Sequence, residues 1–273
     1  MQHDPRADTV AAMTALDDFR ALHAAQDLFV MPNAWDVGSA RLLEHLGFGA
    51  LATTSSGSAA ALGRLDGDLD RGSALSHGAQ LAAAVVIPVS ADLENGFADE
   101  AEGVAETIRA AAGTGLAGAS VEDWSGSAIY EREHAAERVR AAVEAAAGRL
   151  VITARAENLI RDRDDLDDTI ARLQSFAAAG ADVLFAPGLR SAEQIRAVVS
   201  SVHAPVSVLV LPGVPPLGEL AALGVRRVSV GGAFAFAAYG ELVRAAREML
   251  DTGTYGYGEL AALGRDTIAS AFR

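Results

Sequence analysis

The chain has 273 residues, 51% of them hydrophobic, and 36 acidic against 22 basic side chains give it a formal charge of -14. That balance argues against nucleic acid or an anionic membrane as partner, and the absence of cysteine removes disulfides, thiolate nucleophiles and cysteine metal sites. Lysine is absent too, so Schiff-base chemistry on an aldolase lysine or with pyridoxal phosphate is excluded.

The N-terminal stretch as far as His23 mixes charges through an amphipathic pattern with no continuous apolar segment. Neither a signal peptide nor a membrane span is expected, and the chain reads as soluble and cytoplasmic. Eight short apolar or β-branched runs follow, at 28–32, 48–54, 85–91, 117–122, 150–155, 182–186, 205–210 and 227–231, each succeeded by a longer stretch with helical spacing. The run Val85-Val86-Ile87-Pro88-Val89 has the look of a strand buried on both faces. Eight such units predict an α/β fold, a (β/α)8 TIM barrel forming one domain over 1–273; they exceed the usual count of a doubly wound sheet, and no GxGxxG follows the first run. Between the runs, Ala101, Val104, Ala105 and Ile108 form one stripe of a helix over 99–114, and Leu166, Ile170, Leu173 and Phe176 one stripe over 163–179. Gly113, Gly115 and Gly180 fall where helices should end. The segment 233–273 reads as a C-terminal extension of two helices broken at 252–258, of the kind that packs on a second copy.

Three consecutive runs end on charge: at Asp92 and Glu94, at Glu122 and Asp123, and at Arg155 and Glu157. The carboxyl ends of parallel barrel strands converge on one mouth, and burying charge there is costly without a metal or counter-charge. Carboxylates gathered around Arg155 therefore point to a divalent cation and an anionic substrate. Other residues carry two readings each. Asp36 is an N-cap or a ligand contact, Asp123 and Glu157 are supporting partners or solvated loop groups, and Gly231-Gly232 is a phosphate-binding turn or merely a tight one. Trp35 and Trp124 flank the expected mouth. His134 and His77 read as surface groups, and His3, His23, His45 and His203 show no metal-ligand spacing.

Taken together, PNAWDVGSARLLEHLGFGALATTSSG, LGRLDG at 62–67, SADLENGF at 90–97, VEDW at 121–124, ITARAEN at 152–158 and GVRRVSVGGA at 224–233 resemble the phosphoenolpyruvate mutase/isocitrate lyase superfamily over almost the whole chain. The resemblance implies a barrel whose last helix is exchanged between subunits in a homodimer or homotetramer, Mg2+ or Mn2+ at the strand ends, and small 2-oxo carboxylates as ligands. Carried over by position, Asp66, Asp92 and Glu122 would hold the metal, mostly through its waters. Arg155 would bind the substrate carboxylate, and the amides of Ser56, Gly57 and Ser58 would receive its oxygens. Thr54, Trp124 and Ser207 are expected to set the substrate's side-chain length.

The sequence also departs from the family. Where many members carry Asp-Ala-Asp, this chain has Ser90-Ala91-Asp92, and Glu94 is the carboxylate expected to compensate. The cysteine-bearing loop of the cleaving lyases is replaced by the short, thiol-free stretch 125–131, and the mutase's gating loop is missing. The remaining inventory suits a metal-dependent carbon–carbon lyase acting through an enolate, resembling oxaloacetate decarboxylase, with Arg155, Glu122 and Asp66 as its catalytic groups. The alternatives are a retro-aldol lyase using Ser127, Tyr130, Glu131 or His134 as acid or base, and a barrel that binds 2-oxo acids without turnover.

Overall fold

The first strand position carries a proline in its middle, and that proline decides how the sheet closes. In the computed structural model, which describes residues 14–273, the strands are β1 (Phe29–Val30), β2 (Asn33–Ala34), β3 (Leu51–Thr53), β4 (Val89–Asp92), β5 (Gly118–Glu122), β6 (Val151–Arg155), β7 (Val183–Phe185), β8 (Val206–Leu209) and β9 (Arg227–Ser229). The stretch 1–13, including His3, lies outside the described residues. All pairings are parallel, in the order β1-β9-β8-β7-β6-β5-β4-β3-β2. The two ends of this series, β1 and β2, are halves of one segment interrupted at Met31-Pro32. Pro32 has no N–H to give a neighbour. Its carbonyl accepts from the Ala52 amide at 2.9 Å, while the Met31 amide donates to the Val228 carbonyl at 2.8 Å. Phe29 thus pairs with Arg227 and Asn33 with Ala52, and the ring closes through the split strand. The eight expected strand positions are all present in a TIM-barrel-like fold.

The helices are α1 (Ala15–Ala24), α2 (Val37–His45), α3 (Ser55–Ala61), α4 (Arg71–Ala84), α5 (Ala101–Ala111), α6 (Arg132–Ala146), α7 (Leu166–Ala178), α8 (Ala192–Ser201), α9 (Leu217–Ala222), α10 (Ala233–Asp251) and α11 (Gly258–Ala271). The two predicted stripes are core faces: Val104, Ala105 and Ile108 of α5, and Leu173 and Phe176 of α7, are buried. Asp36 caps α2, accepting from the Ser39 amide at 2.6 Å, which resolves its two readings in favour of the cap.

Alternation along the strands separates two environments. Ala91, Ala119, Val121, Ile152, Ala154, Leu184, Val208 and Val228 join the apolar clusters packed beneath the helices. The intervening positions put hydroxyls inside the ring: Ser90, Thr153, Ser207 and Ser229 are buried. The lower end is plugged by Phe19 of α1, packed with Met31, Ala50, Ala117, Val151 and Val183.

One expected strand begins late. Val85 ends α4, Val86 is 87% exposed, and only Val89–Asp92 pairs in the sheet. The Val86 and Ile87 amides donate instead to Glu44 Oε1 at 2.7 and 3.3 Å, and Pro88 offers no donor for a ladder. At the C-terminal end the two helices stand as expected. α11 has no buried residue and touches α2 of its own chain, where the Arg41 guanidinium lies 5.0 Å from the Phe272 ring centre. No helix among the described residues is long and apolar enough to cross a membrane.

Candidate active site

Strands β4, β5 and β6 are adjacent, so their terminal residues meet. Arg155 Nη1 lies 2.8 Å from Asp92 Oδ1, and Nη2 lies 3.0 Å from Glu122 Oε2 and 2.9 Å from Glu157 Oε1, which also accepts from Nε at 2.9 Å. Nε and Nη1 donate hydrogen bonds, to Glu157 and Asp92, and Nη2 stands within ion-pair distance of Glu122 and Glu157. Burial alone would lower the Arg155 pKa, yet the charges of Glu157, Glu122 and Asp92 outweigh it and hold the group firmly protonated. Glu122 is also pushed up, well above the ordinary carboxyl range, by burial and by the Glu157 and Asp92 charges.

Glu94 reaches the same mouth through its loop. Its φ of 48° and that of Phe97 at 56° are left-handed values that side chains other than glycine adopt reluctantly, at a cost of about 1 kcal/mol or more each. The turn is held by the Glu122 amide donating to the Glu94 carbonyl at 2.8 Å and by Arg138, which donates to the carbonyls of Asn95 and Ala98. Burial, then the charges of Asp92 and Asp66, push Glu94 up to about 7. Asp66, Glu94, Glu122, Trp124 and Arg161 line an outer cavity of about 580 Å3. Here the Arg161 guanidinium stacks 4.7 Å from the Trp124 ring and stands 3.9 Å from Glu122.

Beneath this mouth, an inner cavity of about 240 Å3 descends into the barrel. Thr54, Ser56, Asp66, Ser90, Asp92, Arg155 and, at greater depth, Arg227 line it. Acidic groups at the rim outnumber Arg155 and Arg161, a donor set that suits a hydrated divalent cation: Mg2+ accepts one or two carboxylates and keeps its waters. Among the described residues no group of three or more histidine, aspartate or glutamate side chains is placed to hold a metal ion by itself, so such an ion would rely on its waters and on a ligand.

Several expected contacts fall elsewhere. Ser56-Gly57-Ser58 lies in the first turn of α3, and two of its three amides are already engaged: Gly57 donates to Thr54 Oγ1 at 3.3 Å and Ser58 to the Thr54 carbonyl at 3.0 Å. The Ser58 hydroxyl bonds back to the same carbonyl at 2.7 Å, because residues at helix starts satisfy their own turn first. Of the three, only Ser56 lines the inner cavity. Gly57 is needed for packing, since a Cβ there would come within 2.6 Å of Thr54 and 3.0 Å of Trp35. Ser207 is fully buried beneath the cavity and accepts from Arg227 Nε at 3.0 Å, so it meets a ligand only through that arginine. Trp35 walls a separate apolar cavity with His77. The Val230 and Gly231 amides donate to Asn33 Oδ1 at 3.0 and 2.8 Å, which makes Gly231-Gly232 a tight turn. Tyr130, Glu131 and His134 line neither cavity; the Tyr130 hydroxyl donates to Asp99. Asp123 and Glu157 are buried supports, Asp123 accepting from Arg172 at 3.1 Å and from the Glu157 amide at 2.8 Å.

The family model described as phosphoenolpyruvate phosphomutase matches residues 19–250. The chain belongs to that family. Within the phosphoenolpyruvate phosphomutase family it is similar to a Burkholderia cenocepacia J2315 crystal structure described as a lyase/mutase, with 51% identity and a TM-score of 0.90 over 93% of this chain and 94% of that one. The oxaloacetate decarboxylase of Paraburkholderia xenovorans is 32% identical, over 74% of this chain and 70% of its own length. An oxaloacetate acetylhydrolase solved with its product oxalate has 26% identity and a TM-score of 0.83, over 93% of this chain and 94% of that one. By their names, relatives of this phosphomutase-family chain include lyases, a decarboxylase and an acetylhydrolase that act on small carboxylates.

Sequence reading had overlooked Arg227 and Arg161. A signal for the first was present: in Arg227-Val228-Ser229 the polar residues alternate with an apolar one, which places Arg227 on the face that carries the inner hydroxyls.

Proposed function

We propose that this chain is a carbon–carbon lyase that decarboxylates oxaloacetate, or a 2-oxo diacid close to it, through an enolate. The observation that carries the reading is a polar well lined by hydroxyls and capped by a rim of excess carboxylate, in a chain with no thiol and no lysine. Likeness to an oxaloacetate decarboxylase adds support. A Mg2+ or Mn2+ ion held by Asp66, Asp92 and Glu94 would stabilise negative charge on the 2-oxo oxygen.

The remaining work falls to the chain. As the C3–C4 bond breaks, CO2 departs and the electron pair stays on C3 as the enolate. Arg155 supplies fixed positive charge beside that developing anion, already oriented by its three carboxylates, so little reorganisation is needed. Burial disfavours the ionised form of Glu122 and pushes its pKa well above the ordinary carboxyl range. Its carboxyl group is therefore the proton donor assigned to C3, which yields pyruvate. Trp124 and Arg161 close the rim, and Thr54 and Ser56 fill one wall. The test is pyruvate formation from oxaloacetate with Mg2+ and with a chelator. Turnover should vanish on chelation and fall by about 100-fold or more in Glu122→Gln, whereas no turnover of any 2-oxo acid by the wild type would sink the reading.

For the assembly, we infer that the apolar faces of α10 and α11 meet a second copy of the chain. Leu242, Leu250 and Leu263 are 64, 84 and 65% exposed, more apolar surface than an isolated helix pair sustains in water. Sedimentation equilibrium should give an oligomer for the wild type and smaller species for Leu250→Glu.

A further inference from the structure

Arg227 is the buried charge that the scheme above leaves unused. It is 3% exposed, and its contacts are all to neutral acceptors: Ser207 Oγ at 3.0 Å, Thr153 Oγ1 at 3.1 and 3.2 Å, and His23 Nε2 at 3.3 Å. His23 is neutral, lowered to about 3 by burial and by Arg227 itself. Its Nδ1 lies 2.8 Å from the Phe19 carbonyl, which assigns the proton to Nδ1 and turns the Nε2 lone pair toward the guanidinium. No carboxylate touches Arg227 among the described residues. A lone buried cation of this kind is costly, and proteins ordinarily pair it.

The guanidinium lines the deep end of the inner cavity. Beside it, the hydroxyls of Ser90 and Ser229 line the same space, are nearly buried, and make no hydrogen bond to the described residues. Two hydroxyls without partners and a guanidinium without a counter-ion thus converge on one small polar volume. At the rim the situation is reversed, since Arg155 already has carboxyl groups of Asp92, Glu122 and Glu157 within 3.0 Å.

We propose that Arg227, with Ser90 and Ser229, forms the subsite for a substrate carboxylate, and that the ligand is a dicarboxylate lying along the barrel axis with its spectator carboxylate at this depth. The inference rests on the 2-oxo acid reading and assigns the spectator carboxylate to Arg227 in place of Arg155. The second carboxylate, the one lost as CO2, then points up toward the rim that carries Asp66 and Glu94. Ser90 in place of the family's aspartate fits the same logic, because an anion at that position would repel the deep carboxylate.

The test is calorimetric titration of oxalate into the Mg2+-supplemented full chain and its variants, with thermal melts alongside. Arg227→Met should weaken oxalate about 10- to 100-fold, the range for hydrogen bonds to charged groups, while the unliganded melting temperature holds or rises, since an apolar isostere removes an unpaired buried charge. Arg227→Lys should recover part of the affinity. Should Arg227→Met not fold, Ser90→Ala combined with Ser229→Ala keeps the guanidinium and should weaken oxalate about tenfold. Unchanged affinity in either variant overturns the subsite, as does a wild type that does not bind oxalate. If oxalate binding depends on Arg227 but oxaloacetate is never cleaved, the subsite stands and the decarboxylase reading falls.

Discussion

On the β4–β6 side of the barrel, Arg155 meets three carboxylates within 3.0 Å, whereas on the β8–β9 side Arg227 meets two hydroxyls and a neutral imidazole. Arg155 is half-buried and Arg227 buried, and both belong to one ring of strands. The first is held by groups that lose their own compensation if it leaves, so it is as much architecture as chemistry. The second gives the fold little that a shape-matched apolar group would not, and so its charge is available to a ligand. Where a buried cation finds its counter-ion, inside the chain or outside it, separates the two roles.

The largest effect should come from removing the first partner. Arg155→Ala leaves Asp92, Glu122 and Glu157 crowded and uncompensated, and urea denaturation should show a loss of about 3–5 kcal/mol. If stability is unchanged, the trio is not the self-contained unit described here. A pH profile sharpens the contrast next. Asp123, beneath that trio, is pushed up to about 6 by burial, against 3.8 for the free side chain. Between those values the folded chain retains a proton that the unfolded chain releases, so stability is lost as pH rises from about 4 to about 6, by on the order of 3 kcal/mol. Melting curves across that window should show the decline; a rise would mean that Asp123 is ionised and fully paired. Third is Gly118→Ala on the inner face of β5, where a Cβ would stand 2.7 Å from Phe19 and 2.9 Å from the Val151 carbonyl. Overpacking against backbone should cost about 1–3 kcal/mol, and wild-type stability would show that α1 does not plug the ring as tightly as it seats here. The smallest effect, within about 1 kcal/mol of the wild type, is expected for Arg227→Met on stability alone.

The strand positions were legible because each pairs a β-branched apolar run with a following helical period, and that pattern survives without tertiary knowledge. The 85–88 segment misled because apolar composition says nothing of hydrogen-bond supply: Glu44, distant in sequence, takes the Val86 and Ile87 amides, and Val86 projects into solvent. In the mouth, charges at the ends of β4, β5 and β6 were readable, since strand order alone brings them together. Ser207 was misplaced for a related reason. A hydroxyl on the inner face can line the well or lie beneath it, and only strand stagger decides which. Gly57 and Ser58 were assigned ligand duties that local capping had already claimed. Arg227 lay hidden in an arginine pair on the last strand, visible only once alternation was followed along β9 together with the serines of the other strands.

The split at Pro32 also bears on how the molecule comes into being. The first strand to leave the ribosome pairs at one end with Ala52, close by in the chain, and at the other with Arg227, near the last. Long-range closures of this kind slow folding and leave strand edges open while they wait. Until β9 emerges, Phe29 and Val30 have no neighbour on that side, and every nascent copy carries an unpaired apolar seam. We expect refolding to be limited by that seam, and the window in which two copies can join edges wrongly to last until residue 229 has been made.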